Sequence, residues 1–225
     1  MAPVIPHWPR PSHSDLINVV DRPGDFTSGA LSLVNLPAGS LFTRITTATP
    51  VGNHAYSSVQ VSSNAHIELN SDLIYCNHSC APSLIFDMAR LEVRVVDDKP
   101  LIVGDPLTFF YPSSEWDMAQ PFDCTCGAPM GVCKGRIAGA KHMTVADLDG
   151  YWLNEHIVRL LSEASLNAQA NGSEKLVKPH GTIINSHAGF GVTSRELSGE
   201  MGGDTSLKVN GGPGVPRDDG GLRSV

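Results

Sequence analysis

Residues 75–82 read YCNHSCAP and place two cysteines, one histidine and one asparagine within eight positions. The chain has five cysteines among 225 residues, and the other three, Cys124, Cys126 and Cys133, lie together further on. An odd number of cysteines, in a sequence whose first residues show no secretory signal, argues against a disulfide framework and favours metal or thiol chemistry. The pattern at 75–82 therefore leaves three interpretations open: half of a metal site, part of a catalytic site, or a crowded piece of core.

The later cysteines provide three thiolates within ten positions, as Cys124-Thr-Cys126 followed by Cys133. A structural zinc ion needs four ligands in a tetrahedron, commonly all cysteine, so the fourth ligand must come from a distant part of the chain. The residues available for it are Cys80, Cys76 and His78. One zinc ion would contribute on the order of 10 kcal/mol to folding a loop that has almost no core of its own. We therefore predict one structural zinc ion, which ties this loop to the middle of the chain.

Composition restricts the class of protein. Hydrophobic residues make up 41% of the sequence and charged residues 17%, which is typical of a globular protein. The net charge of −7 comes from acids that are spread along the chain, so direct binding to nucleic acid is not expected. No apolar run approaches the roughly 20 residues of a membrane helix, so no membrane contact is expected either. We expect an intracellular protein, located in the nucleus or the cytoplasm.

Short β-like runs fill the first half of the chain. They lie between residues 29 and 111 and are separated by turn signals such as LPAG, VDDKP and VGDP, which predicts several small sheets. After the cysteine loop, TVAD resembles a capping box, and one face of an amphipathic helix is formed by Leu153, Ile157, Leu160 and Leu161. The predicted divisions are 1–25 irregular, 26–120 a β domain, 121–140 a zinc loop, 141–168 a helical segment and 169–225 a glycine-rich flexible tail.

Four ordered segments together resemble the SET-domain family, to which many protein lysine methyltransferases belong. NHSCAP is similar to the family's N-H-S-C-x-P-N signature, and GDPLTFFY, at 104–111, is similar to its G-E-E-L-T-x-D-Y segment. FDCTCGAPMGVCKGRI resembles the zinc-binding post-SET loop, and DFTSGALSLVNLPAGSLF resembles the opening strand pair. The resemblance implies a mostly β fold of small twisted sheets with a pseudoknot. In that fold 26–120 is the SET domain and 121–140 is the post-SET loop, and a C-terminal helix follows.

The resemblance also implies a role for each matching residue. The cofactor of the family is S-adenosylmethionine, and the positions implied to contact it are Gly29, Leu31, Asn77, His78 and Phe122. Tyr111 takes the catalytic position, where the methyl donor meets the target amine. The family's fourth zinc ligand is the cysteine of the N-H-S-C signature, so the implied ligands are Cys80, Cys124, Cys126 and Cys133. The expected activity is methyl transfer to a lysine or another nucleophile of a protein or small-molecule substrate.

Three positions depart from the family pattern and keep other functions open. Thr27 replaces the first glycine of G-x-G, Ser83 replaces the last asparagine of the signature, and Phe110 replaces the aspartate before the tyrosine. About a dozen residues join LFTRIT to SSVQVS, which leaves little material for a peptide groove. One alternative is a SET scaffold that catalyses a cyclisation or rearrangement of a small molecule by holding it folded. Another is a non-catalytic binding module stabilised by zinc.

Overall fold

Short strands make up most of the regular structure. The computed structural model describes residues 5–24 and 27–170, with side chains as far as residue 167. The strands in that part of the chain are β1 (Ile17–Val20), β2 (Gly29–Ser32), β3 (Leu41–Arg44), β4 (Thr49–Val51), β5 (Ser58–Ser62), β6 (Ala65–Glu68), β7 (Asn77–His78), β8 (Leu84–Asp87), β9 (Glu92–Val95), β10 (Thr108–Phe109), β11 (Phe122–Asp123) and β12 (Arg136–Ile137). The helices are α1 (Val145–Leu148) and α2 (Glu155–Ala170), and 3₁₀ turns lie at Asp72–Tyr75, Tyr111–Ser113 and Ala140–His142. The predicted mostly β class is confirmed.

The strands of the described residues form five small sheets. β1 and β2 pair antiparallel, as do β11 and β12, whereas β7 and β10 form a short parallel pair. The two three-stranded sheets have the orders β3-β9-β8 and β4-β6-β5 and are antiparallel. The parallel pair sets Asn77 opposite Thr108 and His78 opposite Phe109, so it joins the two sequence segments that carry most of the predicted site.

The main core lies on β8 and β9. All four residues of β8 are buried, and Phe86, Val93 and Val95 have no exposed surface. Phe86 stacks on Phe109 of β10, with ring centroids 4.1 Å apart. Burying a side chain of this kind contributes about 1.5–3 kcal/mol to folding. This packing therefore fixes β10, and the β7 strand that pairs with it, against the most buried part of the molecule.

The C-terminal helix lies where the sequence predicts it, after a break that the prediction missed. Thr144 and Asp147 form a reciprocal capping box at the start of α1, as predicted. Gly150 then adopts a positive φ of 79°, which favours glycine, and α2 starts only at Glu155. The predicted apolar face packs inward: Ile157 is fully buried, Leu153 and Leu161 contact a small cluster that includes Phe110, and Leu160 is half-buried.

The N-terminal segment differs from the prediction. The sequence predicts that 1–25 is irregular, but residues 17–20 form β1 and pair with β2, with Val20 opposite Gly29. The prediction followed the prolines and histidines before residue 15 and missed that INVV is rich in β-branched residues. The residues before β1 are held by buried Asp72. Its side chain accepts hydrogen bonds from the Trp8 indole, the Arg10 guanidinium and the Ser12 backbone N–H.

The predicted glycine-rich tail, 169–225, lies outside the described residues except for the last two residues of α2. In the part of the chain that is described, no helix combines the length and the apolar character that crossing a membrane requires.

Candidate functional site

Four cysteines converge on one point. The sulfur atoms of Cys80, Cys124, Cys126 and Cys133 all lie within 4.8 Å of one another. The Sγ atoms of Cys80 and Cys124 are 3.9 Å apart. These side chains are close enough to bind a metal ion, and they are the four cysteines that the sequence comparison with the SET family singles out.

Backbone N–H groups point at two of the sulfur atoms in this four-cysteine cluster. The Lys134 N–H donates to Cys80 Sγ at 3.3 Å, and the Cys126 N–H donates to Cys124 Sγ at 3.4 Å. Both donors belong to the hairpin of β11 and β12, whose connecting loop carries three of the cysteines. N–H donors stabilise a thiolate, which is the form of cysteine that binds a metal.

The structure also separates Cys80 from the other candidates for a fourth ligand. Cys76 is 1% exposed and belongs to the main core. Burial raises the pKa of its thiol to about 12 and that of Cys80 to about 11, so the location of the sulfur atoms, and not their acidity, separates the two. His78 approaches the cluster, but the group of mutually close ligand atoms consists of the four cysteines. The neutral thiol of Cys76 is therefore a core side chain, and Cys80 takes the position next to the loop.

His78 connects the four-cysteine cluster to Tyr111. The backbone N–H of Tyr111 donates to His78 Nδ1 at 3.2 Å, so Nδ1 carries no proton. Burial lowers the pKa of His78 to about 4, so the ring is neutral and its one proton is on Nε2. Nε2 lies 3.4 Å from Cys80 Sγ and donates to it. One imidazole ring thus orients a cluster sulfur and the Tyr111 backbone together, as outer partners of metal ligands do.

Tyr111 presents a neutral hydroxyl in an aromatic setting. The hydroxyl donates to the Cys76 carbonyl at 3.3 Å. Burial, and to a smaller extent the nearby Cys76 and Glu115, raises the pKa of Tyr111, so the phenol stays protonated. The rings of His78 and Phe122 lie at centroid distances of 5.3 and 6.1 Å from the tyrosine ring. His78 and Phe122 are 5.7 Å apart, so the three rings form a compact triangle near the cluster.

A cavity of about 120 Å³ lies beside Gly29 and Asn77. Asn77 Nδ2 donates to the Ser28 carbonyl at 2.8 Å, which joins β7 to the start of β2. A Cβ on Gly29 would lie 3.1 Å from that same nitrogen, so a glycine keeps this contact unstrained. Leu31 lines the cavity as well. The structure therefore brings three of the predicted cofactor residues together here, and the other two, His78 and Phe122, adjoin them through β7.

The three departures from the family pattern have local partners. The Thr27 hydroxyl donates within the preceding loop, at 2.8 Å from the nearest carbonyl oxygen. The Ser83 hydroxyl donates to the Pro106 carbonyl at 2.7 Å and so ties β8 to the segment before β10. Phe110 is buried and stacks on Tyr151 at 3.8 Å between centroids. None of the three side chains lines the cavity at Gly29.

Two residues near the site were not identified from the sequence. Arg22 lines the cavity at Gly29, but it lies in the segment predicted to be irregular, and its approach depends on the pairing of β1 with β2. The Tyr151 hydroxyl donates to the Cys80 carbonyl at 2.6 Å, and the Lys134 ammonium lies 5.6 Å from the tyrosine ring. The aromatic pair YW, just before the amphipathic helix, is the sequence feature that could have identified Tyr151.

A larger cavity of about 390 Å³ lies between the four-cysteine cluster and residues 149–152. Its lining includes Cys80, Pro82, Val96, Phe110 and Trp152. It contains none of Gly29, Leu31, Asn77, His78, Tyr111 or Phe122. We assign the candidate site to the smaller cavity because Gly29, Leu31 and Asn77 line it.

Comparison with known proteins identifies the class of protein to which this chain belongs. No protein-family model matches the chain. One curated protein is 50% identical over 176 residues, which cover 78% of this chain and 98% of that protein. At this identity and coverage the chain belongs to the same family, and it is a family of methyltransferases. The relative is methyltransferase flvH of Aspergillus flavus.

Proposed function

We propose that this chain is an S-adenosylmethionine-dependent methyltransferase of the SET type, which methylates a lysine or another nucleophile. The main support is the continuity of the site. Gly29 and Asn77 line one cavity, and His78 follows Asn77 directly in β7. The His78 ring then contacts both Tyr111 and Cys80. The residues that the SET resemblance implies for cofactor, acceptor and metal are thus neighbours, which supports the proposal.

The cavity at Gly29 fits one end of the cofactor. Whole ligand sites have volumes of about 300–1,000 Å³, so 120 Å³ accommodates a part of the molecule. Arg22 offers a guanidinium group suited to a carboxylate, which the methionine part of the cofactor carries. Asn77 is held through its amide nitrogen, which leaves its oxygen available as an acceptor for an amino group. These residues favour the methionine end of S-adenosylmethionine in this cavity.

Tyr111 has the properties needed beside an acceptor nitrogen. When bound, S-adenosylmethionine supplies an activated methyl group on sulfur. A lysine amine has an ordinary pKa near 10.4, so presenting its neutral form at pH 7 costs roughly 4–5 kcal/mol. The burial that raises the pKa of Tyr111 also disfavours an ammonium ion and so reduces this cost. The protonated tyrosine hydroxyl, fixed by the Cys76 carbonyl, orients the nitrogen for attack.

The four-cysteine cluster fits one structural zinc ion. A tetrahedron with Zn–S bonds of about 2.3 Å places the sulfur atoms about 3.8 Å apart. Cys80 and Cys124 are 3.9 Å apart, and all four sulfur atoms lie within 4.8 Å of one another. Four protein ligands leave no coordination position for water or substrate, so the ion would be structural. It would hold the hairpin of β11 and β12 next to His78.

The acceptor is proposed to be a small molecule or an exposed side chain of a protein, in preference to an extended peptide. Between β3 and β5 the chain forms only β4, a strand of three residues that pairs with β6. This connection adds an edge to the sheet and no separate wall for a peptide groove. A compact acceptor needs less surface than a peptide tail, so the short connection does not weaken the proposal of methyl transfer.

Calorimetric titration with S-adenosylmethionine and with its demethylated product tests the proposal. Micromolar binding is expected, and absence of binding at millimolar ligand would refute it and favour a repurposed scaffold or a binding module. Asn77→Ala should weaken binding about tenfold, since one charge-assisted hydrogen bond is worth roughly 1.5 kcal/mol. Asn64→Ala, at an exposed position in the turn between β5 and β6, is the matched control and should bind normally.

Two further measurements test the acceptor site and the metal. Tyr111→Phe should keep the affinity for the cofactor but reduce release of the demethylated product at least tenfold, with primary amines and lysine peptides as acceptors. Elemental analysis should find one zinc ion per chain, and Cys80→Ser should reduce it. A zinc-free protein with ordered residues 121–140 would contradict the metal assignment.

A further inference from the structure

Glu115 is a buried carboxylate four residues after Tyr111. Residue 115 is 9% exposed. Its Oε1 accepts the backbone N–H of Gln60 in β5 at 2.8 Å, and its Oε2 faces His66 Nε2 of β6 at 3.9 Å. A carboxylate in such a position needs either a proton or a positive partner, because burial strongly disfavours an isolated charge.

His66 is half-buried, and its Nε2 atom is the group that faces Glu115. Its Nε2 is inaccessible to solvent and, within the described residues, has no hydrogen bond. The ring stacks on His54 at a centroid distance of 5.1 Å, which leaves Nε2 directed at Glu115. A buried unpaired nitrogen costs about 1–3 kcal/mol, and a proton on either Glu115 or His66 turns the facing atoms into a donor and an acceptor.

We propose that Glu115 and His66 share one proton, and that this pair positions Tyr111 by docking the hairpin of β5 and β6 onto the turn that carries the tyrosine. The inference rests on the proposed function, because Tyr111 is taken as the residue beside the acceptor. Glu115 acts through Tyr111 and is a positioning residue. Neither the metal cluster nor the cavity at Gly29 includes the pair.

The path from the pair to Tyr111 consists of backbone contacts. The Glu115 N–H donates to the Tyr111 carbonyl at 2.9 Å, which closes the turn. On the other side, Gln60 binds the turn twice: its N–H donates to Glu115, and its side-chain oxygen accepts the Trp116 N–H at 2.8 Å. The hairpin and the turn are therefore joined at two points, and the carboxyl group of Glu115 forms the one nearer to Tyr111.

One proton is the favoured occupancy of this pair. If both groups were protonated, the His66 imidazolium would lie beside the imidazoles of His54 and His156. If Glu115 were ionised and His66 neutral, the buried carboxylate would lack a cation. Burial raises the pKa of Glu115 to about 7, whereas burial, His54 and His156 lower the pKa of His66. Coupled groups of this kind titrate as a unit. The titratable side chains that face the pair are His54, His156 and Tyr111, with Arg159 and Glu155 flanking His156.

The direction in which pH changes the stability of the fold follows from the pKa of Glu115. Its folded-state pKa is raised above the ordinary value of 4.5, so the stability it confers is complete below that value and is lost as pH rises through about 7. Glu115→Gln keeps an oxygen for the Gln60 N–H and an N–H₂ for His66 Nε2, but it cannot ionise. The variant should therefore imitate the protonated pair at every pH.

Thermal unfolding of the zinc-loaded full chain, from pH 5 to pH 8.5, tests the shared proton without any assay of activity. Relative to wild type, the midpoint of Glu115→Gln should rise by several degrees between pH 5 and about pH 7 and level off above it. Glu92→Gln is the matched control, since buried Glu92 pairs with Arg44 at 2.9 Å, and it should show no such rise. Parallel curves for wild type and Glu115→Gln would overturn the shared proton.

Nuclear magnetic resonance of ¹³C-labelled tyrosine tests the positioning of Tyr111 independently of catalysis. The chain has four tyrosines, so the Tyr111 signal is assigned with Tyr111→Phe. This signal should shift with a midpoint near pH 7 in wild type and stay constant in Glu115→Gln. A titration that persists in Glu115→Gln, or is absent from wild type, would overturn the positioning role. Failure of cofactor binding would leave both readouts intact, so the proposed function and this inference fail separately.

Discussion

Replacing Asn154 should destabilise the fold by an amount that its contacts define. The side chain is 1% exposed and lies just before α2. Its oxygen accepts the Met88 N–H at 2.9 Å, and its nitrogen donates to the carbonyls of Phe86 and Ser113, each at 3.0 Å. In Asn154→Ala the Met88 N–H is orphaned, at about 1–3 kcal/mol, whereas each carbonyl loses a bond worth about 0.5–1.5 kcal/mol. The expected loss is therefore about 2–6 kcal/mol.

Urea unfolding at pH 7, followed by circular dichroism with zinc present, measures this loss. Asn154→Asp keeps the shape but presents an acceptor to two carbonyl groups, so it should be at least as harmful as alanine. Asn167→Ala, an exposed position on the same helix, should change the free energy of unfolding by less than about 0.5 kcal/mol. If Asn154→Asp were as stable as wild type, the assigned direction of the hydrogen bonds would be wrong.

Three further predictions concern the cavity, the metal cluster and the N-terminal segment. Gly29→Ala sets a methyl group 3.1 Å from the Asn77 amide and should raise the Kd for S-adenosylmethionine at least tenfold by calorimetry; an unchanged Kd would place the ligand elsewhere. Cys133→Ser should lower the zinc content and the amide-exchange protection of residues 124–136, and full zinc retention would exclude Cys133 as a ligand. Burial alone would raise the pKa of Asp72, but the hydrogen bonds to its carboxyl hold that pKa below the ordinary value of 3.8. The stabilisation from Asp72 is therefore present above about pH 4 and is lost as pH falls. Asp72→Asn should therefore be less stable than wild type at pH 7 and converge with it in acid, and a constant difference would contradict the pKa shift.

The part of the site that follows from ligand chemistry was accessible from the sequence. A metal's coordination sets the type and spacing of the cysteines that can bind it, so Cys124, Cys126 and Cys133 could be recognised as candidate ligands before their positions in space were known. The choice between Cys80 and Cys76 needed the family resemblance, since spacing treats them alike. The capping box at Thr144 was also accessible, because it depends on contacts within one turn.

The remaining features depend on contacts between distant segments. Arg22 reaches the cavity only because β1 pairs with β2, and the proline-rich sequence before it hides that strand. Asn154 reads as one polar residue ahead of a helix, yet its partner Met88 lies 66 positions away. Glu115 and His66 are separated by 49 positions of sequence, and no local pattern distinguishes such a pair from two solvated side chains. The positions of these residues are determined by contacts between distant segments, and not by local secondary-structure propensity.

His78 joins the four-cysteine cluster to Tyr111 and follows Asn77, which lines the cavity at Gly29. Its ring is neutral and has only one proton to donate, and the Tyr111 N–H already occupies the acceptor nitrogen, so the donor nitrogen must face Cys80. A thiolate at Cys80 is a better acceptor than a thiol, so metal binding strengthens the bond that fixes the ring. A fixed ring in turn holds the Tyr111 backbone next to β7, the strand that pairs with β10. The four-cysteine cluster therefore acts on the order of Tyr111 and Asn77 without contacting either. In the proposed enzyme, a closed metal site would support methyl transfer in this way without taking part in its chemistry.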